Sequence, residues 1–542
     1  MLLAGPVGVY FLSLHLFRSF STFRKPASFL AAFFYLFNLA TVQYFYVPYE
    51  AFSSFYGFLP WVIFGFINYL EKPSLKTLLL MAGIVLLSTP AYYVQTLFVV
   101  VLAVLGTFSL GHLYYSQAGL KKNILVNLRG YLLLGVVNLF WLLPVLYFTL
   151  TAVSHTTQSK QNLLSTPEVQ LQNEEAGSLS NVVTLKGYWF EYLDQDVSTG
   201  ETVHLLDAWR GHVQEPTVIA VGVILFTLSL AGLLIYLRED KHKWQSRSLL
   251  AIFLVSLVML TGGNGAFGWP YRFASDYLPL FSQIFRTSFT KWSMVTALCL
   301  SLGLGMISAW IYRLMKKIQV SQFLAGSFVL LFLLLGSLYI SFPIIEGKLF
   351  YEPMKLKIPQ EYFKLFEYLQ TQDSSRRIVH LPAISLWGWQ FNDWGYRGSG
   401  FLWYGVEQPI LDRNFDVWSP TNEQFYQELS YALNSENPAL LKHLVLKYDV
   451  SYALIDSSIV NFSTANLRQS TNQQKQQIES IGGELEWSEG SLELYSLDVI
   501  NEKQGFVKTY SEIALVDSSS IEGHRDVIFD LVGNYLLTAK SN

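Results

Sequence analysis

For its first 342 residues the chain alternates long uncharged apolar runs with short links that hold most of the lysine and arginine. A helix needs about 20 apolar residues to cross a bilayer core. Runs of that kind cover 1–17, 26–49 and 51–70. Residues 77–120 are uncharged for 44 positions, roughly 66 Å of helix at 1.5 Å per residue, which is two spans. Pro90 in STPAYY marks the break between them. Further runs lie at 130–150 (with Pro144 as a kink), 217–237, 248–271, 292–312 and 321–342. The pattern predicts about ten transmembrane helices, interrupted by a polar outer loop at 151–216.

After residue 342 the pattern changes. PQEYFKLFEYLQTQ reads as a helix before the strand-like RRIVHLPA, and NPALLKHLVLKY as a helix before SYALID. NQQKQQIESIG precedes ELEWSEGSLELYSL, whose alternation and central Glu-Gly predict a hairpin. The expected architecture is a polytopic α-helical membrane protein, residues 1–342, followed by a C-terminal extracytoplasmic α/β domain, residues 343–542.

Composition supports this division. The 542 residues are 51% hydrophobic, 16% aromatic and only 14% charged, against roughly 25% charged in a soluble domain. The deficit falls in the first 342. A net charge of −3 suggests no nucleic-acid partner. The single cysteine, Cys299, lies in an apolar run and can form neither an internal disulfide nor a Cys-based metal site.

Charge also sets the orientation, because cytoplasmic links are enriched in lysine and arginine. Alternate links hold fifteen of them: Arg18, Arg24, Lys25, Lys72, Lys76, Lys121, Lys122, Arg129, Arg238, Lys241, Lys243, Arg247, Arg313, Lys316 and Lys317. The opposite links hold six, in longer loops: Lys160, Lys186, Arg210, Arg272, Arg286 and Lys291. The first set is expected in the cytoplasm. The 151–216 loop, the stretch 267–292 and the tail then face outward, on a multi-pass protein of the cell membrane. The first span would run inward from Met1 without a basic flank or a cleavable leader pattern. That predicts a preceding helix and outer loop beyond the sequence given; a translocated N-terminus is the other reading.

FGWPYRFASDYLPLFSQIFRTSFTKW, residues 267–292, concentrates the candidate chemistry. Charge between spans is costly and is either a flank or a site. Arg286 and Lys291 stand at the outer mouth of a span, where a lipid-linked phosphate would lie; arginine offers a planar fork and lysine a point charge. Interfacial snorkelling is the plainer reading. Arg272 and Asp276, four apart, would pair on a helix; Asp276 is the weak candidate for an acid or base. Glu50 in YVPYEAF suits a donor contact or, more simply, a helix N-terminus. The loop GYWFEYLDQDVSTGETVHLLDAWRGH mixes Trp189, Glu191, Asp194, Asp196, His204, Asp207, Trp209 and His212. Aromatic faces beside carboxylates suit sugars. A divalent metal on Asp194, Asp196 and the histidines is a minor alternative, and no cofactor is expected. In the tail, Trp387, Trp389, Asp393, Trp394, Tyr396, Arg397, Trp403 and Tyr404 form either a glycan platform or a packing seam.

Several stretches resemble the polytopic membrane glycosyltransferases of the GT-C class, and within it the group of YfhO-type proteins and large arabinofuranosyltransferases. GPVGVYFLSLHLF with FLAAFFYLFNLATVQ looks like that group's early helix pair, and FYGFLPWVIFGF like one of its helix starts. FRTSFTKWSMVTALCLSLGLG resembles its arginine- and lysine-bearing lead-in to a late helix. LLKHLVLKYDVSYALID with GSLELYSLD resembles the post-membrane domain. The resemblance implies transfer of a sugar from a polyprenyl-phosphate-linked donor to a cell-envelope glycan acceptor. It also implies a carboxylate base in a first outer loop, which would precede the helix pair matched by residues 1–47. Arg286, Lys291 and Arg272 would then hold donor phosphate, and Trp189, Trp209, Trp389, Trp394 and Trp403 would contact glycan. The alternative is a non-catalytic membrane scaffold or carrier of lipid-linked glycans. A transporter fits less well, since charges are almost absent from the span interiors.

Overall fold

The computed structural model describes residues 1–19, 23–116, 119–154, 165–196, 201–239, 244–319, 321–382, 390–398, 400–412, 421–460, 471–497, 514–517 and 535–538. The chain divides into two compact units, one of residues 1–146, 164–194 and 203–352, the other of 147–163, 195–202 and 353–542.

The first unit is a bundle of apolar helices. In chain order these are α1 (Ala4–Leu16), α2 (Arg24–Leu36), α3 (Leu39–Tyr46), α4 (Glu50–Glu71), α5 (Leu75–Ser88), α6 (Gln95–Tyr115) and α7 (Leu120–Thr151). The segment between α7 and the next long helix supplies α8 (Pro167–Ala176), α9 (Leu179–Thr184) and α10 (Asp207–Gln214). Then come α11 (Pro216–Glu239), α12 (Trp244–Thr261), α13 (Trp269–Tyr277), α14 (Phe281–Ile284), α15 (Ser288–Lys317) and α16 (Gln322–Ile340). Seven helices among the described residues are long and apolar enough to cross a membrane, or eight if α2 and α3, bent by 47°, make one broken span. The other two of the ten expected runs, at 1–17 and 321–342, give shorter apolar helices, Ala4–Leu16 and Gly326–Ile340. Pro90 sits in the 3-10 turn Thr89–Tyr93 between α5 and α6, as expected of a break. The seventh helix is longer than expected. Lys121, Lys122 and Arg129 lie within it rather than in a link.

One side chain joins the broken pair. Asn38 is buried. Its Oδ1 accepts from Thr41 N at 3.0 Å, which caps α3, and its Nδ2 donates to Phe34 O and Tyr35 O at 2.9 Å, which closes α2. Asn38→Ala leaves both helix ends unsatisfied. It is expected to cost about 1–2 kcal/mol, read as a lower unfolding midpoint of the purified chain.

The centre of the unit is α15. Every residue from Ser288 to Ala309 is buried, whereas α7 buries only 11% of its apolar window and turns Ile124, Leu128, Leu132 and Phe140 outward. Small residues let neighbours approach α15 closely. A Cβ on Gly232 of α11 would stand 1.9 Å from Gly303 O, and one on Gly305 2.7 Å from Ala27 O of α2. The hydroxyls of Ser301 and Ser308 bond within the helix, to Ala297 O at 2.6 Å and Gly305 O at 2.7 Å, so they are tolerated in an apolar setting.

The second unit contains a five-stranded mixed sheet. Its strands are β1 (Arg377–Leu381), β2 (Ile410–Leu411), β3 (Val450–Asp456), β4 (Glu484–Glu489) and β5 (Leu492–Ser496), in the order β2-β1-β3-β5-β4. The first three run parallel; β5 is antiparallel to β3 and forms the expected hairpin with β4. Alternation along β1 and β3 feeds two cores. Val379, Leu381, Ala453 and Ile455 pack with α18 (Thr421–Asn434), α19 (Pro438–Tyr448) and α20 (Thr471–Ser480). Ile378, Tyr452 and Leu454 pack with α17 (Gln360–Gln370) and with Trp394 and Leu402.

Candidate functional site

The N-terminus of α15 collects polar groups at the end of the bundle where α3, α8 and α13 meet it. Leu278 precedes Pro279 and is extended, which stops α13 at Tyr277. The chain then turns through α14 and Phe285–Thr287 before α15 begins. Two neighbours fix that turn: Tyr271 OH donates to Phe285 O at 2.9 Å, and Asn173 Nδ2 donates to Arg286 O. Lys291 lies one helical turn beyond Thr287 and donates from Nζ to its Oγ1. Tyr44 OH of α3 donates to Thr290 O.

The segment between α9 and α10 is pressed against the same place. At Gly187 an added Cβ would stand 2.3 Å from the Phe289 ring, so the segment needs glycine there to approach α15. Gln43 of α3 holds it on both sides, donating to Leu185 O at 2.8 Å and accepting from Trp189 N at 3.3 Å. This brings Tyr188 beside Arg286. Trp189 stacks on Tyr49 with ring centroids 6.2 Å apart and planes 25° apart.

The electrostatics favour an anion. Lys291 is 6% exposed, and its charged neighbour is the Arg286 cation. Among the described residues no carboxylate lies within ion-pair distance of Lys291. Burial lowers the Arg286 pKa, against the pull of the Tyr188 phenol. Burial first, and Tyr192 next, push Tyr188 up to about 12 with Arg286 opposing, so it stays a hydroxyl donor at neutral pH. Asn173 Oδ1, Gln283 Oε1 and Trp292 Nε1 are buried without a hydrogen-bond partner among the described residues. A fork, an ammonium and a phenol can together hold the oxygens of a phosphate.

Arg272 does not join this group. Its guanidinium donates to Gly263 O and, at 3.3 Å, to Gly265 O. Glycines 262, 263 and 265 have positive φ and shape the turn that offers it these two carbonyls. The expected Arg272–Asp276 pair is not formed, and Asp276 is exposed on α13. Trp209 is also corrected. It is fully buried and donates from Nε1 to Lys348 O at 2.7 Å, so it offers no face to a sugar. Glu50 is the exposed first residue of α4, where a carboxylate complements the helix dipole. His212 Nε2 bonds Tyr339 O at 2.9 Å. Among the described residues no three His, Cys, Asp or Glu are placed to hold a metal.

In the second unit, Trp394 and Trp403 are half-buried with their indole N–H groups directed at Tyr362 OH (3.3 Å) and Asp412 Oδ1 (2.9 Å). They lie near the carboxyl ends of the parallel strands, where His380, Asp412 and Asp456 also gather. Trp389 lies outside the described residues. The sequence reading missed Gln43, Asn173 and Tyr188. Gln43 carried a usable signal, since it is one of two amides in the uncharged run 26–49.

No family model matches the sequence, and no curated protein does. Solved structures do. The arabinofuranosyltransferase AftD from Mycobacteria superposes with a TM-score of 0.56 at 14% identity, over 92% of this chain and 33% of that one. A mutant form of AftD gives 0.53 at 13%, over 91% and 34%. The archaeal oligosaccharyltransferase AglB from Archaeoglobus fulgidus, solved with an inhibitory peptide and a dolichol-phosphate, gives a weaker match of 0.40 at 11%, over 83% and 56%. The chain thus spans about a third of the length of AftD, and it is a multi-pass membrane protein with a GT-C-like fold.

Proposed function

We propose that this chain is a membrane glycosyltransferase-like protein that takes a sugar from a polyprenyl-phosphate donor and passes it to a cell-envelope glycan acceptor. Arg286 and Lys291 hold the donor phosphate, Tyr188 donates to it, and Trp189 lies beside the sugar. In the reaction the bond from the anomeric carbon to the phosphate oxygen breaks. A bond to the acceptor hydroxyl forms, and a base takes the proton. The end of the bundle bearing Arg286 faces away from the cytoplasm, as does the α/β domain of residues 343–542, where Trp394 and Trp403 contribute to glycan binding.

One observation carries this reading: a buried lysine amine, Lys291, beside Arg286 and without a carboxylate in reach among the described residues, in a GT-C-like fold. Charging a buried amine without a counter-charge is costly, and an anionic ligand supplies one. Binding and transfer of a radiolabelled polyprenyl-phosphate sugar test it, measured separately on the full chain in lipid nanodiscs. Arg286→Ala is expected to weaken donor binding at least about tenfold. Unchanged binding would sink the reading. Binding without transfer would favour the carrier or scaffold.

A further inference from the structure

We propose that the opposite end of the membrane unit holds a second anion site, one that takes a phosphate group presented by an anionic lipid headgroup or a free phosphate. Along α15 the two ends lie about 30 Å apart, at 1.5 Å per residue. Tyr44 meets Thr290 near the start of the helix, whereas Phe23 stacks on Tyr312 near its finish. A cavity of about 340 Å³ opens at that far end, within the size range of small-molecule pockets. The termini of α4, α6, α7 and α12 and the turn after α1 surround it, contributing Arg18, Lys72, His112, Lys122, Asn123 and Trp244.

The charges do not cancel. Among the described residues Glu71 is the one acidic residue in the lining, and it is already answered: Gln245 Nε2 lies at 2.5 Å, His15 Nε2 at 3.1 Å and Arg18 NH1 at 3.2 Å. Lys72 and Lys122 are exposed and no ion pair joins either to a described residue. The histidine is set as a donor. Asn127 Nδ2 donates to Asn123 O at 2.8 Å, which identifies that atom as the nitrogen, and the same atom lies 3.1 Å from His112 Nδ1. Nδ1 therefore accepts, and the ring proton is on Nε2. The Trp244 ring packs edge-on to the imidazole at 5.4 Å and fixes its plane.

The setting points to lipid as well as to phosphate. The cavity lies among the lysine- and arginine-rich links, where basic pockets between membrane helices take anionic headgroups. Next to it, α7 and α5 turn Leu120, Ile124, Leu128, Leu75 and Leu79 outward, an apolar surface for acyl chains.

The test uses the full chain purified in neutral detergent. Phosphatidylglycerol, phosphatidylcholine and inorganic phosphate are titrated separately, with lipid retention read by native mass spectrometry and the unfolding midpoint read in parallel. Phosphatidylglycerol is expected to bind one tight site and raise the midpoint, and phosphatidylcholine is not. The double variant Lys72→Gln/Lys122→Gln, altered only at exposed positions, is expected to bind phosphatidylglycerol about thirtyfold more weakly. Displacement of the lipid by millimolar inorganic phosphate would support a site that reads phosphate alone. Failure of that displacement would support one that needs the lipid. Equal retention of the two lipids, or equal affinity of the double variant and the wild type, overturns the proposal.

Discussion

Lys291→Met is expected to move stability and binding in opposite directions. The lysine side chain is almost fully buried at the start of α15, with Thr287 Oγ1 as its acceptor and Arg286 as its charged neighbour. Methionine has nearly the same length and no charge to desolvate. Replacing buried charge by a well-packed apolar side chain is neutral or stabilising by on the order of 1–4 kcal/mol, so the unfolding midpoint of the ligand-free protein should rise. If the ammonium holds a donor phosphate, the same substitution removes a charge-assisted hydrogen bond worth about 2–3 kcal/mol, and affinity for a polyprenyl-phosphate sugar should fall about 30- to 150-fold. Lys291→Arg keeps the charge but not the shape and should retain part of the binding. A purely structural lysine gives a different pattern: lower stability in the methionine variant and no selective loss of binding.

Much of the helical layout was legible because a bilayer imposes a length and a composition on each span. The uncharged 44-residue run had to be two helices, and Pro90 had to lie near the break. The break after Leu36 was not legible in the same way. It depends on Asn38 satisfying two helix ends at once, which is a geometric fact about one side chain. The lysines of α7 misled the reading for a related reason. A link and the first turns of a long helix have the same composition, and only the hydrogen bonds separate them.

The site was legible in part. The pairing of Arg286 with Lys291 followed from charge at the mouth of an apolar run. The partners that shape their surroundings come from far along the chain: Gln43, Asn173 and Tyr188 reach them only through the packing of α3, α8 and the segment between α9 and α10 on α15. Arg272 illustrates the opposite error. Spacing of four on a helix made a pair with Asp276 plausible, but the guanidinium donates instead to the carbonyls of Gly263 and Gly265. Trp209 reads in sequence as a surface platform because its neighbours are polar. Its indole is instead the anchor of α10, and nothing local in the sequence distinguishes the two.

The second large effect concerns the helix that carries the site. Gly303→Ala should cost about 3 kcal/mol or more, although alanine is the better helix former by about 1 kcal/mol. The added methyl would stand 2.2 Å from Ser229 O, and the reciprocal methyl on Gly232 would stand 1.9 Å from Gly303 O. Both obstacles are backbone carbonyls of helices packed on several sides, so neither can rotate away, and α11 must separate from α15 to make room. That separation also loosens the end of α15 at which Arg286 and Lys291 sit, so donor binding should fall together with stability. Glycine in a helix is not protective in general, and two other positions serve as controls. An added Cβ at Gly83 of α5 or Gly135 of α7 meets nothing within 4 Å. Alanine there should be neutral or stabilising by about 0.5–1 kcal/mol. Unfolding midpoints for the four single variants decide the matter. If Gly303→Ala and Gly232→Ala melt with the two controls, the α11–α15 crossing is looser than the structure has it, and the rigid placement of Arg286 and Lys291 at the end of α15 fails with it.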